Sequence, residues 1–401
     1  MKLSAIQLLF YRPALRHLAR CPLPRLANYL RRYRAVSRPC FFTNRFATAL
    51  IMPFVSLSVV TWNSASVIEA CLVAALAQTH RDFEIWVVDN ASTDDTCTRV
   101  AAIAATDARV QLHRLPCNTG FCGGHNYALD RTNSEAVLLV NPDVEMRSDY
   151  LAHALAALHT SPNIGTVCGL LLQSHDAAPR IDSTGLDALP DGRFRLRHHG
   201  QLLHETRLEA GPVDGADGAL PLYRRTFIND LRVDGQFFDE RFFAHKEDWD
   251  IAWRGRLYGW RTVFEPACQA LHPRDFRPAD LGLRQSLSAA IKADAVKNQL
   301  LLLLKNTRRY QVRHLWLRAL PRQLGILGYC LLVERSSLGA YRSVLRQWTS
   351  IMASRCQIQA RAARVDHAAA MQSKEEQGGY LLSTDVLAHC LILAAYLDWL
   401  A

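Results

Sequence analysis

The sequence has eleven cysteines in 401 residues but no C-x-x-C pair and no Cys/His cluster at metal-ligand spacing. That excludes a zinc-ribbon or thiol-redox framework, so the cysteines read as reduced, buried thiols of a cytoplasmic protein. Cys168, inside Gly165-Thr166-Val167-Cys168-Gly169-Leu170, is typical of a small hydrophobe in a strand. Long apolar runs are also missing. Residues 323–333 follow Arg318 and Arg322, residues 386–397 contain His389, and both fall short of the roughly 20 residues a bilayer crossing needs. The first residues lack the compact apolar stretch and cleavage site of a secretory signal, which argues against export. Neither G-x-G-x-x-G nor a Gly-Lys-Ser/Thr phosphate loop occurs, and no internal repeat is visible.

Acidic residues are absent from positions 1–50, which hold ten Lys/Arg. Residues 51–304 hold 24 basic against 31 acidic side chains, and residues 305–364 hold twelve against one. The net charge of +10 is therefore carried by the flanks of an acidic middle. Such segregation excludes a uniformly basic nucleic-acid binder and suits flanks that meet an anionic membrane, where each basic residue contributes about 1 kcal/mol. The plainer alternative is a solvated surface. At 49% hydrophobic and 21% charged the composition is otherwise that of an ordinary globular protein.

Three segments are expected. Residues 1–50 form a basic amphipathic N-terminal extension, with Leu8, Leu9, Leu15 and Leu18 among arginines, open to reading as interfacial helices or as a transit-like leader. Residues 51–283 form an α/β domain, since short β-rich runs at 55–60, 83–88, 110–115 and 136–140 alternate with helical patterns at 66–78, 94–105, 121–130 and 148–159. Ser66 and Glu69 predict a capping box on the first helix. After a strand at 164–172 the sequence loosens to about 217, then resumes with 218–223, 246–258 and 262–265. Residues 284–401 form a helical, membrane-associating region.

Val137-Leu138-Leu139-Val140 runs directly into Asn141-Pro142-Asp143. A continuous apolar run reads as a parallel strand covered on both faces, and ligands of open α/β sheets bind beyond strand carboxyl ends. Asp143 there could hold a hard cation whose shell phosphate oxygens complete. The first two strands end in Thr61-Trp62-Asn63 and Asp89-Asn90, so Thr61 or Asn63 could hold a base and Asp89 a ribose hydroxyl; the bland reading makes Asp89 and Asn90 a loop start and helix cap. Asn118-Thr119-Gly120-Phe121-Cys122-Gly123-Gly124-His125-Asn126 is a Gly-rich turn entering a helix, fit for a diphosphate or merely a turn. Glu247 and Asp248 are general-base candidates or helix-dipole partners, and Asp250 with Arg254 makes a structural i,i+4 pair.

The ordered set T-x-N, V-V-D-N-A-S-T-D, N-x-G-F-x-G-G-x-N, N-P-D, F-D-E-x-F-F, E-D-x-D with R-x-x-x-x-G-W, and a later His resembles the family 2 inverting glycosyltransferases, most of all their rhamnosyltransferase-like branch, over residues 53–306. The resemblance implies a GT-A fold and a nucleoside-diphosphate sugar donor, dTDP- or UDP-linked, carrying a deoxyhexose such as rhamnose. It implies that Thr61, Asn63 and Asp89 hold base and ribose, and that Asn118, Gly120, Asn126 and Asn141 line diphosphate and sugar. Asp143, with His272, would bind Mg2+ or Mn2+, and Asp248 would be the base acting on a glycan or lipid-linked acceptor hydroxyl, at the cytoplasmic face of a membrane. Asn141 departs from the first carboxylate of the usual D-x-D, and His125 stands where many relatives have Asn. The non-enzyme alternative is an inactive GT-A-fold scaffold in a polysaccharide assembly complex, against which stands the filling of every expected catalytic position.

Overall fold

A computed structural model describes residues 55–274, 287–308 and 312–376, which belong to one compact unit, Met52–Ala401. The expected N-terminal extension and the apolar stretch 386–397 lie outside the described residues. The centre is a mixed sheet whose first four strands are β1 (Val55–Thr61), β2 (Phe83–Asp89), β3 (Val110–Arg114) and β4 (Ala136–Val140). They run parallel in the order β3-β2-β1-β4, joined by α1 (Ile68–Leu76), α2 (Thr96–Ala104) and α3 (Gly120–Leu129). After β5 (Glu145–Met146) and α4 (Tyr150–His159) come β6 (Ile164–Leu172), the short β7 (Ile181–Ser183), β8 (Leu186–Ala188), β9 (Phe194–Leu196) and β10 (Gly211–Val213), then β11 (Leu222–Arg224). Strand β11 sits antiparallel between β4 and β6 and extends the sheet; α5 (Arg225–Leu231), α6 (Glu247–Leu257) and β12 (Arg261–Leu271) follow, with β12 parallel to β6.

Strand β4 shows why its sequence is apolar throughout. Ala136, Leu138 and Val140 pack into a core with α1 and α4, while Val137 and Leu139 face a second core with α3, α5 and α6. That second core is completed by Leu301 of α7 (Ala289–Asn306), Val344 of α9 (Gly339–Arg346) and Ile351, Ile358 and Ala362 of α10 (Trp348–Glu376); α8 (Val312–Leu332) lies between α7 and α9 in the chain. Helices α7, α9 and α10 thus share a core with the sheet.

Four local expectations need correction. Ser66 and Glu69 form no capping box: α1 is entered by a turn in which the Ser64 carbonyl accepts from Val67 and Ile68, and Glu69 pairs with Arg99. The last strand spans Arg261–Leu271 rather than four residues, because an irregularity between Phe264 and Gln269 carries it past Pro266. The segment 172–217 contains β7 to β10, too short for alternation to show. Not all cysteines are buried: Cys117 and Cys356 are exposed and Cys97 is half-buried, whereas Cys71, Cys122, Cys168, Cys268 and Cys330 are buried.

Candidate active site

Pairing in register brings the strand ends together. Thr61 lies opposite Asp89, and Val59 opposite Val140, so Asn141 begins where β1 is ending. The Thr61 hydroxyl donates to Asp89 Oδ1 at 3.0 Å, and Asp89 Oδ2 accepts from the Ser92 amide at 3.0 Å, so the buried carboxylate is fixed in orientation. Asn63 adopts a left-handed φ of 50° and its Oδ1 accepts from the Thr93 amide at 2.9 Å, tying the two loop tips into one rim. Asn118 Oδ1 accepts from the Gly120 amide at 2.8 Å and shapes the turn into α3. Gly120 is required there: its φ is +74° and a Cβ would lie 2.5 Å from the Phe243 carbonyl oxygen.

Asn126 does a different job from the one the motif suggests. Its Nδ2 donates to the Phe238 carbonyl at 2.8 Å and its Oδ1 accepts from the Phe238 amide at 3.0 Å, clamping the F-D-E-R-F-F segment onto α3. His125 is likewise a core residue, bonded to the Ser58 hydroxyl at 2.8 Å and packed on Phe121 and Phe238; burial drops its pKa to about 3, so it is neutral.

Just beyond the end of β4, half-buried Asp143 lies 3.6 Å from His272 Nε2, and His272 Nδ1 bonds the fully buried Asp182 at 2.7 Å. Burial alone would lower the His272 pKa, but the Asp182 hydrogen bond and the Asp143 charge raise it. Arg274 bonds Asp182 at 2.9 Å and Asp217 at 2.7 Å. Asp217 in turn acts on the first turn of α6, where Asp248 and Glu247 both lie against Gly218. Burial, then the charge of Asp217, lifts the Asp248 pKa to about 7. Burial and the neighbouring Asp248 push Glu247 well above the carboxylate range, and its Oε2 has no hydrogen-bond partner. Polar groups at the strand ends, a carboxylate–imidazole pair and a carboxylate with a near-neutral pKa are parts that can bind a charged leaving group and deprotonate a nucleophile. Residues 56–231 match the family described as Glycosyl transferase family 2.

That stretch is a glycosyltransferase family 2 domain. This transferase is 26% identical over 247 residues to the N-acetylglucosaminyl-diphospho-decaprenol L-rhamnosyltransferase of Mycobacterium tuberculosis, covering 55% of this chain and 76% of that one. A low-salt glycan biosynthesis hexosyltransferase of Haloferax volcanii is 28% identical over 205 residues, 49% of this chain and 60% of that one. A solved mannosyltransferase of Pyrobaculum calidifontis, in complex with GDP-Man and Mn2+, aligns over 93% of this chain and 90% of its own at 19% identity and a TM-score of 0.42.

Four residues of the transferase site escaped the sequence reading: Asp182, Asp217, Arg274 and Asn298. Asp182 and Arg274 are 92 positions apart, and no local pattern links them. The faint signals were Asp217 between glycines and alanines just before β11, and Arg274 two residues after His272. Asn298 of α7 is the least visible. Its Nδ2 donates to the carbonyls of Phe242, Ala244 and His245 at 3.0, 2.8 and 2.8 Å. Those carbonyls belong to a segment in which Phe243, His245 and Lys246 have φ of 62°, 68° and 69°, left-handed conformations that are costly for residues with side chains. One buried amide thus holds the strained loop that delivers Glu247 and Asp248. The pair Asp250–Arg254 is structural as expected, fully buried at 2.8 Å and joined by Lys305 and Asn306.

Proposed function

We propose that the enzyme transfers a sugar, with inversion, from a dTDP- or UDP-linked donor carrying a deoxyhexose such as rhamnose to a hydroxyl of a glycan or lipid-linked acceptor. The observation that carries this reading is the side-chain chain from Asp143 through His272, Asp182, Arg274 and Asp217 to Asp248, which couples a cation corner to a base. Among the described residues no group of three His, Cys, Asp or Glu could cage a metal alone. Asp143 and His272 nevertheless fit Mg2+ or Mn2+, since such ions take few protein ligands when diphosphate oxygens and water fill the rest, and Asp182 orients the imidazole from behind. Bound there, the ion would neutralise charge on the departing nucleoside diphosphate.

The remaining roles fall to the protein. Thr61, Asn63 and Asp89 hold base and ribose; Asn118, Gly120 and Asn141 border diphosphate and sugar, and Asn126 supports that border by fixing Phe238 to α3. Asp248 Oδ takes the proton of the acceptor hydroxyl as the new C–O bond forms at the anomeric carbon and the bond to diphosphate breaks on the opposite face. Its near-neutral pKa suits a base that must be ionised yet hold a proton. The exposed arginines of the basic stretch 305–364, Arg318, Arg322, Arg335, Arg342 and Arg346 among them, would keep the enzyme at an anionic, cytoplasmic membrane face near a lipid-linked acceptor. The test is a screen of nucleotide sugars for protection against thermal unfolding, with metal titration of the wild type and of Asp143→Ala. Metal-dependent protection by one donor, lost in the variant, is expected; unchanged metal dependence in Asp143→Ala refutes its role.

A further inference from the structure

We propose that α8 is an in-plane membrane keel, seating a leucine stripe in the interfacial layer of an anionic bilayer. The inference rests on the membrane part of the proposed function and names the surface that does the work. Helix α8 spans 21 residues and is apolar on two opposite sides. Its inner side carries Ala319, Ile326 and Cys330, at i, i+7 and i+11; Ala319 and Cys330 are buried, and Ile326 packs beside Val296 and Ala340. Its outer side carries Leu317, Leu320, Leu324, Leu331 and Leu332, at i, i+3, i+7, i+14 and i+15, one face of a 3.6-residue period. Leu317, Leu324 and Leu332 are 65%, 57% and 84% exposed, and Val333 continues the patch at 68%. A helix anchored by one apolar side has no need of a second unless something apolar meets it.

Charge selects what meets it. Arg318 and Arg322 are exposed on α8, Arg335 on the turn after it, and Arg342 and Arg346 on α9. Those five arginines stand against Glu334, the one acidic residue of 305–364, so a second copy of this face would bring like charges together. An anionic lipid surface accepts both features, with leucines in the acyl boundary and guanidinium groups reaching to phosphate. Among the described residues no helix is long and apolar enough to cross a membrane, so α8 lies in the plane.

The test floats the full chain with vesicles of about 70% phosphatidylcholine and about 30% phosphatidylglycerol, at about 0.1 M and about 1 M salt. The wild type is expected to float and to keep part of its binding at high salt, because apolar insertion is not screened. The Leu317→Ser/Leu324→Ser/Leu332→Ser triple variant should bind at least roughly tenfold more weakly at an unchanged Tm. If the triple variant floats like the wild type, the keel is wrong and the membrane reading survives; if the wild type never floats, both fail. A Tm that falls by several degrees assigns the leucines to packing within the chain, and a dimer that the triple variant breaks assigns them to a second copy; either overturns the keel. Sugar transfer to an acceptor in solution, measured on the same preparations, reports the chemistry independently.

Discussion

Asp248 stands half-buried near Asp217, and the burial that lifts its pKa to about 7 works against the folded state whenever the group is ionised. A carboxyl whose folded pKa exceeds its unfolded value favours folding less and less as pH climbs from about 4 to about 7. Asp248→Asn should therefore raise stability at pH 8 by about 1–2 kcal/mol, a figure reduced for solvent near the group, and leave it unchanged at pH 4. The same variant should lose transfer by about 10²–10⁴-fold with donor affinity intact. Denaturant unfolding at the two pH values and turnover assays check both; unchanged turnover removes Asp248 as base. In the wild type, kcat/KM should rise with pH and level off above about 7. Asp182→Asn deprives His272 of its anionic anchor, and the metal affinity read through donor protection should fall about 10–100-fold with the fold intact. Equal metal titrations for the two proteins would dismiss that role.

The loop before α6 is the element on which the site depends. Its left-handed residues each carry strain of about 1–3 kcal/mol, offset by the two Nδ2 protons of Asn298 shared among three carbonyls and by a hydrogen bond in which the Phe243 carbonyl accepts from the Cys122 amide. Asn298→Ala should cost about 2–4 kcal/mol of stability and lower kcat while donor KM stays near the wild-type value, since the proposed donor contacts lie on other elements. A parallel rise in donor KM would show that the loop also shapes the donor site. This is also where the sequence was least legible. Strands β1 to β4 and the α/β alternation were readable because a sheet covered on both faces writes its burial as unbroken apolar runs. Thr61, Asp89, Asp143, Glu247 and Asp248 stood out because strand ends and helix starts are local features. Asn298 and Asp182 act on partners 53 and 90 positions away, and a distance of that kind leaves no spacing to read.

At the scale of the molecule, the C-terminal helices are part of the enzyme's interior. Lys305, fully buried, pairs with Asp239 and Asp250, and Leu301, Val344, Ile351 and Ile358 share a core with Val137 and Leu139 of β4. A chain ending at residue 308 would leave the β4 side of that core open to water. It should be found aggregated or unfolded by size-exclusion chromatography and circular dichroism, and a soluble monomer that still binds donor would show the helices to be dispensable. The order of synthesis gives this interleaving a further meaning. Ile251 and Ile351 lie in the same core but leave the ribosome 100 residues apart, which at roughly 5–20 residues per second is roughly 5–20 s. During that interval the nascent chain carries an apolar face that its last helices have yet to cover, a surface on which association with other chains competes with folding.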